Sequence, residues 1–271
     1  MPLAIWSLAS GSSGNCMWVE GASSALLLDA GISASALIER LQALGRSPSR
    51  LRAILLTHEH CDHSAGALPI ARRFGVPIVS TAGTLSALTD DCPEVPTTAY
   101  PAGAAFTLGE FRVASFPMVH DAADPVGYTV SCDGSRLCLV TDTGIITPAI
   151  RQAMEDCQLV VLESNHDIAR LARGPYPEPL KQRILSDQGH LSNDAAAAAV
   201  ASLSEGKHPV CVWLAHLSAT NNTPRLAMRS VMYALRFAKP ERVRVHVALR
   251  DRVSVHWSSD RNWWQMSLWQ S

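Results

Sequence analysis

Short apolar runs, each followed by turn-forming residues, predict most of the strands of this chain. A run of roughly four to eight apolar residues that ends at Gly, Pro, Asn or Asp is typical of a buried strand. Such runs lie at residues 3–8, 25–29, 53–56, 77–80, 126–132, 136–140, 159–163, 210–214 and 243–249. Apolar residues spaced by three and four predict helices at residues 33–44, 67–74, 194–203 and 225–237. The Asp-Gly pair before residue 135 predicts a β-hairpin.

The order of these elements predicts an α/β protein, and the length of 271 residues suits a single domain over residues 1–271. Strands alternate with helices in both halves of the chain, on either side of a segment of short strands and turns. Two such halves favour two sheets packed face to face with helices outside, because each helix must bury its apolar side. The proline-rich stretch at residues 174–179 is interpreted as an irregular loop inside this domain.

Composition excludes several classes of protein. Hydrophobic residues make up 47% of the chain, which is too many for a disordered protein. No apolar run approaches the roughly 18 residues of a membrane-spanning helix, and no basic leader precedes the first apolar stretch. We therefore expect neither a membrane protein nor a signal peptide. The seven cysteines form no CxxC pair, which favours a reducing cytoplasm over a disulfide framework or a zinc knuckle.

Charge is distributed unevenly along the chain. Residues 1–224 carry 14 Lys or Arg and 21 Asp or Glu, whereas residues 225–271 carry nine and three. The basic end is compatible with a phosphate-bearing partner, and equally with a solvated surface. Within it, residues 240–271 are predicted to form a basic, Trp-rich extension of the domain. Its tryptophans can stack on nucleic-acid bases, cover the core or form the seam of a homodimer, and these alternatives stay open.

The segment THEHCDH at residues 57–63 carries the strongest chemical signal. It holds three histidines and two carboxylates directly after a predicted buried strand, where packing alone does not account for them. Where a strand continues into a loop, His58 and His60 point to the same side, so both imidazoles reach one cation. Asp62 and His63 follow on the next turn and are placed to reach a second cation. The segment therefore predicts a metal site.

Three residues elsewhere share one placement, at or just after the end of an apolar strand. They are His120, Asp142 and His216. A single histidine after a strand is more often a core or loop residue than a ligand, but the recurrence favours a shared site. Because strand ends on one edge of a sheet sandwich converge, we expect these side chains to complete the metal site.

Over residues 3–220 the sequence resembles the metallo-β-lactamase-fold hydrolases. It carries five motifs of that family in chain order, namely an aspartate within residues 28–31, HxHxDH at 58–63, His120, Asp142 and His216. Segments 8–15, 162–167, 189–193 and 215–218 are similar to the YycJ/WalJ branch, whose members are described as DNA exonucleases. The last two segments are also similar to tRNase Z. The resemblance implies an αββα sandwich, in which helices flank two mixed β-sheets.

The resemblance also implies a centre of two divalent metal ions, zinc or manganese. One ion would be bound by His58, His60 and His120. The other would be bound by Asp62, His63 and His216, and Asp142 would bridge the two ions. Asp29 would hold a ligand histidine or its loop from behind.

By the same resemblance, the expected activity is phosphodiester hydrolysis in nucleic acid, DNA rather than RNA, by a 5′-to-3′ exonuclease. A hydroxide held between the metal ions would attack phosphorus in line. The implied catalytic residues are Asp62 at the metal centre, His190 as general acid and Glu163 as the carboxylate that orients it. A surface ion pair for Glu163 and a hydrogen bond at a helix start for His190 are the alternative roles.

Five further residues are expected to contact the substrate: Ser12, Ser13, Asn15, His166 and Arg183. The loop with the first three turns its N–H groups toward an anion, or simply forms a tight turn. Four basic residues flank the proline-rich loop, where they line a nucleic-acid groove or only solvate the loop; they are Arg170, Arg173, Lys181 and Arg183.

Two alternative functions remain open from the sequence. The same metal centre opens thioesters and lactones in other relatives, so one alternative is a small-molecule hydrolase of the glyoxalase II or lactonase kind. The other is a metal-binding protein without turnover.

Overall fold

The computed structural model describes residues 2–88, 94–206 and 208–260. Three tryptophans of the predicted extension, Trp263, Trp264 and Trp269, lie outside the described residues. The strands are β1 Ala4–Ala9, β2 Cys16–Glu20, β3 Ala25–Leu28, β4 Leu51–Leu55, β5 Ile78–Ser80, β6 Thr97–Ala99, β7 Ala105–Leu108, β8 Phe111–Pro117, β9 Val126–Cys132, β10 Ser135–Val140, β11 Leu159–Glu163, β12 Val210–Ala215, β13 Val243–Val247 and β14 His256–Ser258.

The helices of the described residues lie between these strands. They are α1 Ala34–Ala43, α2 Cys61–Ser64, α3 Ala67–Phe74, α4 Ala82–Ala87, α5 Pro148–Met154, α6 Ile168–Arg173, α7 Glu178–Leu185, α8 Asn193–Ser204 and α9 Pro224–Ala234. Short 3-10 helices occur at Pro48–Arg50, Leu235–Phe237 and Pro240–Arg242. No helix in the described ranges combines the length and the apolar composition required to span a bilayer.

The strands form two mixed sheets, each of seven strands in the described part of the chain. The first sheet has the order β14-β1-β2-β3-β4-β5-β6, and the second has the order β13-β12-β11-β10-β9-β8-β7. Neighbours from β3 to β6 are parallel, as are neighbours from β10 to β13, and the remaining neighbours are antiparallel. Parallel strands end at one edge of a sheet, which gathers their following loops.

Apolar side chains pack in three layers. Leu55 of the first sheet and Trp213 of the second belong to the cluster between the sheets, where both are fully buried. Leu37 of α1 packs on the outer face of the first sheet, and Val231 of α9 packs on the outer face of the second. The predicted αββα sandwich is therefore confirmed.

Polar side chains fix where several helices begin. Ser33 accepts a hydrogen bond from the N–H of Ala36 at the start of α1, and Ser192 does the same for Ala195 in α8. These N-caps satisfy N–H groups that have no partner inside the helix, at a gain of about 1 kcal/mol each. The predicted helix starts at 33 and 194 therefore lie within a residue or two of the observed ones.

The irregular segment within the proline-rich stretch is shorter than predicted. Helix α6 ends at Arg173 and α7 already begins at Glu178, so the last two residues of 174–179 are helical. Proline is compatible with the first turn of a helix because its missing N–H has no partner there anyway. Asp167 caps α6 by accepting from the N–H of Arg170. Neither helix was predicted.

Three strand exits have an unusual backbone. Asp29 follows β3, Asp142 follows β10 and His216 follows β12, with φ of 57°, 59° and 54°. Side chains other than glycine rarely adopt this left-handed region, and each instance costs about 1–3 kcal/mol. Such residues cluster at functional sites, and all three were predicted to belong to the metal centre.

Candidate metal centre

The candidate metal centre lies where loops from both sheets converge. Its side chains come from the ends of β3, β4, β8, β10, β11 and β12 and from the short helix α2. The structure brings all seven predicted ligands together in overlapping groups, within which the possible ligand atoms lie no more than 4.8 Å apart; they are His58, His60, His63, His120, Asp62, Asp142 and His216.

The first group consists of His58, His60 and His120. The Nδ1 atom of His60 lies 3.3 Å from the Nε2 atom of His120. Two nitrogens at about 2.05 Å from a tetrahedral zinc ion are about 3.3 Å apart, so this spacing fits one cation. The Nε2 atom of His58 is buried and has no hydrogen-bond partner among the described residues. A cation in this group would satisfy that nitrogen.

The second group consists of Asp62, His63 and His216. The Oδ2 atom of Asp62 lies 3.2 Å from Nε2 of His216 and 3.5 Å from Nε2 of His63. Asp142 reaches both groups, because its Oδ2 atom lies 2.8 Å from Nε2 of His63 and its Oδ1 atom lies 3.8 Å from Nε2 of His120. The donor set therefore fits bound metal, and Asp142 lies close to histidines of both groups.

In His63 and His120, the ring nitrogen Nδ1, which faces away from the centre, lies within hydrogen-bond distance of an oxygen atom. Nδ1 of His63 lies 2.7 Å from Oδ2 of Asp29, which also accepts from the hydroxyl of Thr57. Nδ1 of His120 lies 3.1 Å from each of two backbone carbonyl oxygens, those of residues 188 and 189. When Nδ1 carries the proton and donates it backwards, Nε2 presents its lone pair to the centre.

Glu163 links the centre to His190. Its Oε1 atom lies 2.8 Å from Nδ1 of His190 and 2.9 Å from Nδ1 of His216. Its Oε2 atom accepts from the backbone N–H of Thr143 at 2.9 Å and of Leu191 at 3.2 Å. The carboxylate is thus fully buried with both oxygens occupied. A surface ion pair is therefore not the role of Glu163.

The buried carboxylates stay ionised. Burial alone would raise the pKa of Glu163, but the charge and hydrogen bond of His190 outweigh it and lower this pKa to about 2. For Asp142, burial likewise acts to raise the pKa, and the charges of His216 and His63 bring it well below the usual range. Together with the half-buried Asp62, Glu163 and Asp142 place three carboxylates close to one another. A divalent cation neutralises negative charge of this kind.

The neighbouring histidines respond in the opposite direction. Burial acts to lower the pKa of His216, but Asp142 and Asp62 raise it to about 9. The pKa of His190 is also raised well above its usual value, because Glu163 and Asp142 outweigh the effect of burial. His58, by contrast, has a pKa well below its usual value, chiefly through burial. A neutral imidazole of this kind is ready to bind a metal ion.

A cleft opens beside His190. Its lining includes Ser12, Tyr176, Arg183, His190 and Ser218. Of the residues predicted to contact substrate, Ser12 and Arg183 thus lie at the cleft, and Ser13 is an exposed neighbour of Ser12 in the same loop. The guanidinium of Arg183 forms an ion pair with Asp121 on the cleft wall.

Two residues that were predicted to contact substrate, Asn15 and His166, are buried and do not line the cleft, so those predictions are corrected. Asn15 is 3% exposed, its Oδ1 accepts from the N–H of Gly11, and its Nδ2 lies 2.9 Å from Nε2 of His63. It therefore holds the Gly/Ser loop against the metal centre instead of facing substrate. His166 is 1% exposed, and neither ring nitrogen has a hydrogen-bond partner among the described residues. Burial lowers its pKa to about 4, so it is a neutral buried side chain.

Several residues that shape the site were not predicted. The hydroxyl of Thr57 lies within 3.3 Å of both Nδ1 of His58 and Nδ1 of His63. Its position directly before the first ligand histidine was the available signal. The carbonyls that hold His120 have no such signal, because any residue supplies a carbonyl oxygen. Tyr176 and Ser218 reach the cleft only through the fold.

Comparison with known proteins agrees with this geometry. A family model described as a beta-lactamase superfamily domain matches residues 25–212. The chain is 37% identical over 233 residues to the exodeoxyribonuclease YycJ of Bacillus anthracis, which covers 84% of this chain and 87% of that protein. It is also 37% identical over 234 residues to the exodeoxyribonuclease WalJ of Streptococcus pneumoniae, with 84% and 86% covered.

Among solved structures, the metallo-β-lactamase fold protein YhfI of Bacillus subtilis superposes with a TM-score of 0.71 at 16% identity, over 96% of this chain and all of that one. That likeness shows the fold. Fold and site together define a hydrolase with residue clusters able to bind metal. The chain belongs to the metallo-β-lactamase-fold hydrolases, and within them to the family of YycJ and WalJ.

Proposed function

We propose that this protein is an exodeoxyribonuclease that hydrolyses phosphodiester bonds with two bound divalent metal ions, zinc or manganese. One observation carries the proposal: the Glu163–His190 pair lies directly beside Asp142, whose carboxylate lies within 4 Å of a histidine in each of the two candidate ligand groups. A phosphodiesterase needs both parts, because the attacking oxygen must be activated and the leaving oxygen must receive a proton. The names of the relatives YycJ and WalJ support DNA as the substrate.

The ligand assignment follows the two groups. His58, His60 and His120 would hold one ion, Asp62, His63 and His216 the other, and Asp142 would be shared. Bound divalent ions supply a water of pKa about 7 and neutralise charge on the phosphate oxygens. Asp29 keeps His63 in the tautomer that ligation requires, through the contact at its Nδ1 atom.

His190 supplies the proton for the leaving oxygen in this proposal. Its side chain lines the cleft and is 23% exposed, whereas Glu163 behind it is fully buried. Burial acts to lower the pKa of His190, but Glu163 and Asp142 outweigh it and raise this pKa, which favours the protonated imidazole. A positioned general acid of this type accelerates a reaction by about 10²–10⁴-fold. Glu163 is then the positioning residue, because both of its oxygens are fixed.

Substrate polarity and contacts belong to the same proposal. We assign a 5′-to-3′ direction, in keeping with the resemblance of the Gly/Ser loop and the Gly-His segment to the YycJ/WalJ branch. Ser12 lines the cleft and Ser13 is its exposed neighbour, and in this proposal their hydroxyls bind a terminal phosphate. Arg183 lines the same cleft beside Asp121 and supplies a positive charge there.

The first experiment tests the reaction class. Purified protein loaded with Mn²⁺ or Zn²⁺ is incubated with bis(p-nitrophenyl) phosphate, and metal content is measured in the same samples. We expect diester hydrolysis that a chelator abolishes and added metal restores, with two ions per chain. Hydrolysis of a thioester or lactone without diester hydrolysis would support a small-molecule hydrolase instead. Bound metal without either activity would support a non-catalytic protein.

The second experiment tests substrate and direction. Single- and double-stranded DNA and RNA of one sequence are labelled at the 5′ or the 3′ end. A 5′-to-3′ DNA exonuclease releases the 5′ label as the first product, shortens 3′-labelled DNA progressively and leaves RNA largely intact. Early release of the 3′ label would reverse the assigned polarity, and equal hydrolysis of RNA would remove the preference for DNA.

A further inference from the structure

A second concave surface lies next to the candidate active-site cleft. It is lined by Arg170 and Arg173 of α6, by Arg229 of α9, and by Asp167 and Thr220 between them. We call this surface the arginine groove. All three arginines are exposed, and α6 and α9 come from chain segments more than fifty residues apart. The fold therefore assembles this positive surface; it does not follow from one basic run.

The charges in the groove are available to a ligand. In the described part of the chain, no carboxylate forms an ion pair with Arg173 or Arg229. The one acidic residue in the groove, Asp167, is occupied as the N-cap of α6. Arg170 donates from Nε to the carbonyl of Thr220 at 2.7 Å, which fixes the groove floor.

Two of the four basic residues that flank the proline-rich loop do not reach the groove. The ammonium of Lys181 donates to the carbonyl of Ala172 at 2.7 Å. Arg183 pairs with Asp121 at the cleft. Arg229, which lies far away in the sequence, takes part instead. The groove thus differs in membership from the cluster that the sequence indicated.

The groove is a direct continuation of the cleft. One loop runs from Glu163 through Asn165, which lines the cleft, to Asp167 in the groove. The second runs from His216 through Ser218, which lines the cleft, to Thr220 in the groove, a path of at most about 14 Å.

Hydrogen bonds tie these two loops together along that path. The N–H of Ser218 donates to the carbonyl of Asn165 at 2.9 Å, and the N–H of Asp167 donates to the carbonyl of Asn221 at 3.0 Å. The loops therefore form one floor, and its two ends are a reaction site and a positive groove. A linear polyanion that has one phosphate at the metal centre can lay its next phosphates along this floor.

We propose that the arginine groove binds backbone phosphates of the DNA strand within a few nucleotides of the cleaved bond, with Arg173 and Arg229 as the phosphate-binding residues. This inference rests on the proposed function for its substrate. Contacts to phosphate position a strand without reading its sequence, which suits an exonuclease that must move along any DNA. The groove would retain long substrates and make no difference to substrates too short to reach it.

The test compares a double variant with a matched control. Arg173→Gln with Arg229→Gln removes both free charges from the groove. The control, Arg73→Gln with Arg112→Gln, makes the same change in net charge. Arg73 is in the last turn of α3 and Arg112 is at the start of β8, so both lie at the element ends opposite those leading to the metal centre. The metal-loaded proteins are assayed between 50 and 200 mM salt on a single-stranded DNA 20-mer and on bis(p-nitrophenyl) phosphate.

Loss of two phosphate contacts changes the salt dependence by a calculable amount. For single-stranded nucleic acid the slope of log affinity against log salt is about −0.7 per contact, so it should become shallower by about 1.4 in the groove variant. The ratio of wild-type to variant kcat/KM on the 20-mer should then fall about sevenfold from 50 to 200 mM salt. Hydrolysis of bis(p-nitrophenyl) phosphate and the Tm should stay unchanged, and the control should match the wild type.

Failure of this inference and failure of the proposed function are distinguishable. Equal slopes for wild type and groove variant overturn the groove, and so does an equal change in the control. If the wild type hydrolyses neither substrate, the proposed function fails. Fluorescence anisotropy of the labelled 20-mer then decides the groove by the same slope, because binding needs no turnover.

Discussion

At the level of one side chain, a His190 variant tests the proposed proton donation separately from metal binding. Its Nδ1 atom is held by Glu163 at 2.8 Å, and the imidazole lines the cleft. We expect His190→Ala to lower kcat by about 10²–10⁴-fold, the usual contribution of a general acid, while metal content stays at the wild-type level. His208→Ala, at an exposed histidine far from the centre, is the control. Loss of metal from the His190 variant would show that this residue is a ligand.

A substitution of Asp29 tests whether its contact with His63 strengthens metal binding. Its carboxylate contacts Nδ1 of His63 at 2.7 Å and accepts from the N–H of Thr57 at 2.8 Å. Asp29→Asn should weaken metal affinity by about 10–100-fold, because the amide favours the ligating tautomer less strongly than the carboxylate. Metal titration by calorimetry measures the change. Asp133→Asn is a matched control, since Asp133 has the same left-handed backbone in an exposed turn away from the centre. Equal affinity in both variants would contradict the role.

Between elements, Glu110 joins two turns at the end of the sandwich opposite the metal centre. It lies in the turn between β7 and β8 and accepts from the N–H groups of Ala22, Ser23 and Ser24 in the turn between β2 and β3. Gly21 allows this approach, because a Cβ there would lie 2.5 Å from the carboxylate carbon. Partial burial raises the pKa of Glu110, but these donors outweigh it and lower the pKa from 4.5 to about 2.

The depressed pKa of Glu110 predicts a pH-dependent contribution to stability. At neutral pH the carboxylate is ionised in both folded and unfolded chains, so the hydrogen bonds contribute in full, about 1–2 kcal/mol after solvent screening. As the pH falls from 4.5 towards 2, the unfolded chain takes up the proton first and this contribution is lost. Urea unfolding of wild type and Glu110→Gln should therefore differ at pH 7 and converge as the pH approaches about 2. Glu39→Gln, at an exposed helix position, should change little. A difference that stays constant with pH would refute the assignment.

The elements that the sequence predicts are apolar runs that end at turn-forming residues and helices whose starts carry caps. Helix α1 has Ser33 at its start, and β4 leads directly into the histidine motif. Strand β2 was missed although all five of its residues are buried. Its charged Glu20 is of a type usually found at the surface, and only the fold buries it in an ion pair with Arg46 at 3.1 Å. Helix α6 was missed because six residues are too few for a periodic pattern.

In the candidate site, too, residue type predicted one part, and the other part depends on how the chain packs. Histidines and carboxylates at strand exits have a chemical signature, and the structure brings all seven predicted ligands together. Asn15 and His166 were predicted from residue type to contact substrate and are buried, because exposure depends on how the loops pack. The arginine groove needed the fold as well, since Arg229 meets Arg173 only through the packing of α9 near α6.

At the scale of the whole molecule, we expect bound metal to stabilise the folded state. The centre ties loops of both sheets together and holds three ionised carboxylates close to one another. A ligand at 100 times its Kd stabilises a protein by about 2.7 kcal/mol, so chelation should lower the Tm by several degrees. Differential scanning calorimetry with and without a chelator measures this, and His60→Ala should respond less than His208→Ala. An unchanged Tm in chelated wild type would mean that the loops are held without metal.

The left-handed backbone at Asp29, Asp142 and His216 has a consequence for the balance between thermal stability and activity. Each of these residues holds its side chain in place through a conformation that an ordinary chain avoids. His216→Gly should therefore withstand heat better than His216→Ala when both are free of metal, because glycine relieves the local strain and alanine retains it. A comparison of their melting curves checks this. A more heat-stable glycine variant would show that the geometry of the site has a cost in stability, which selection for activity maintains.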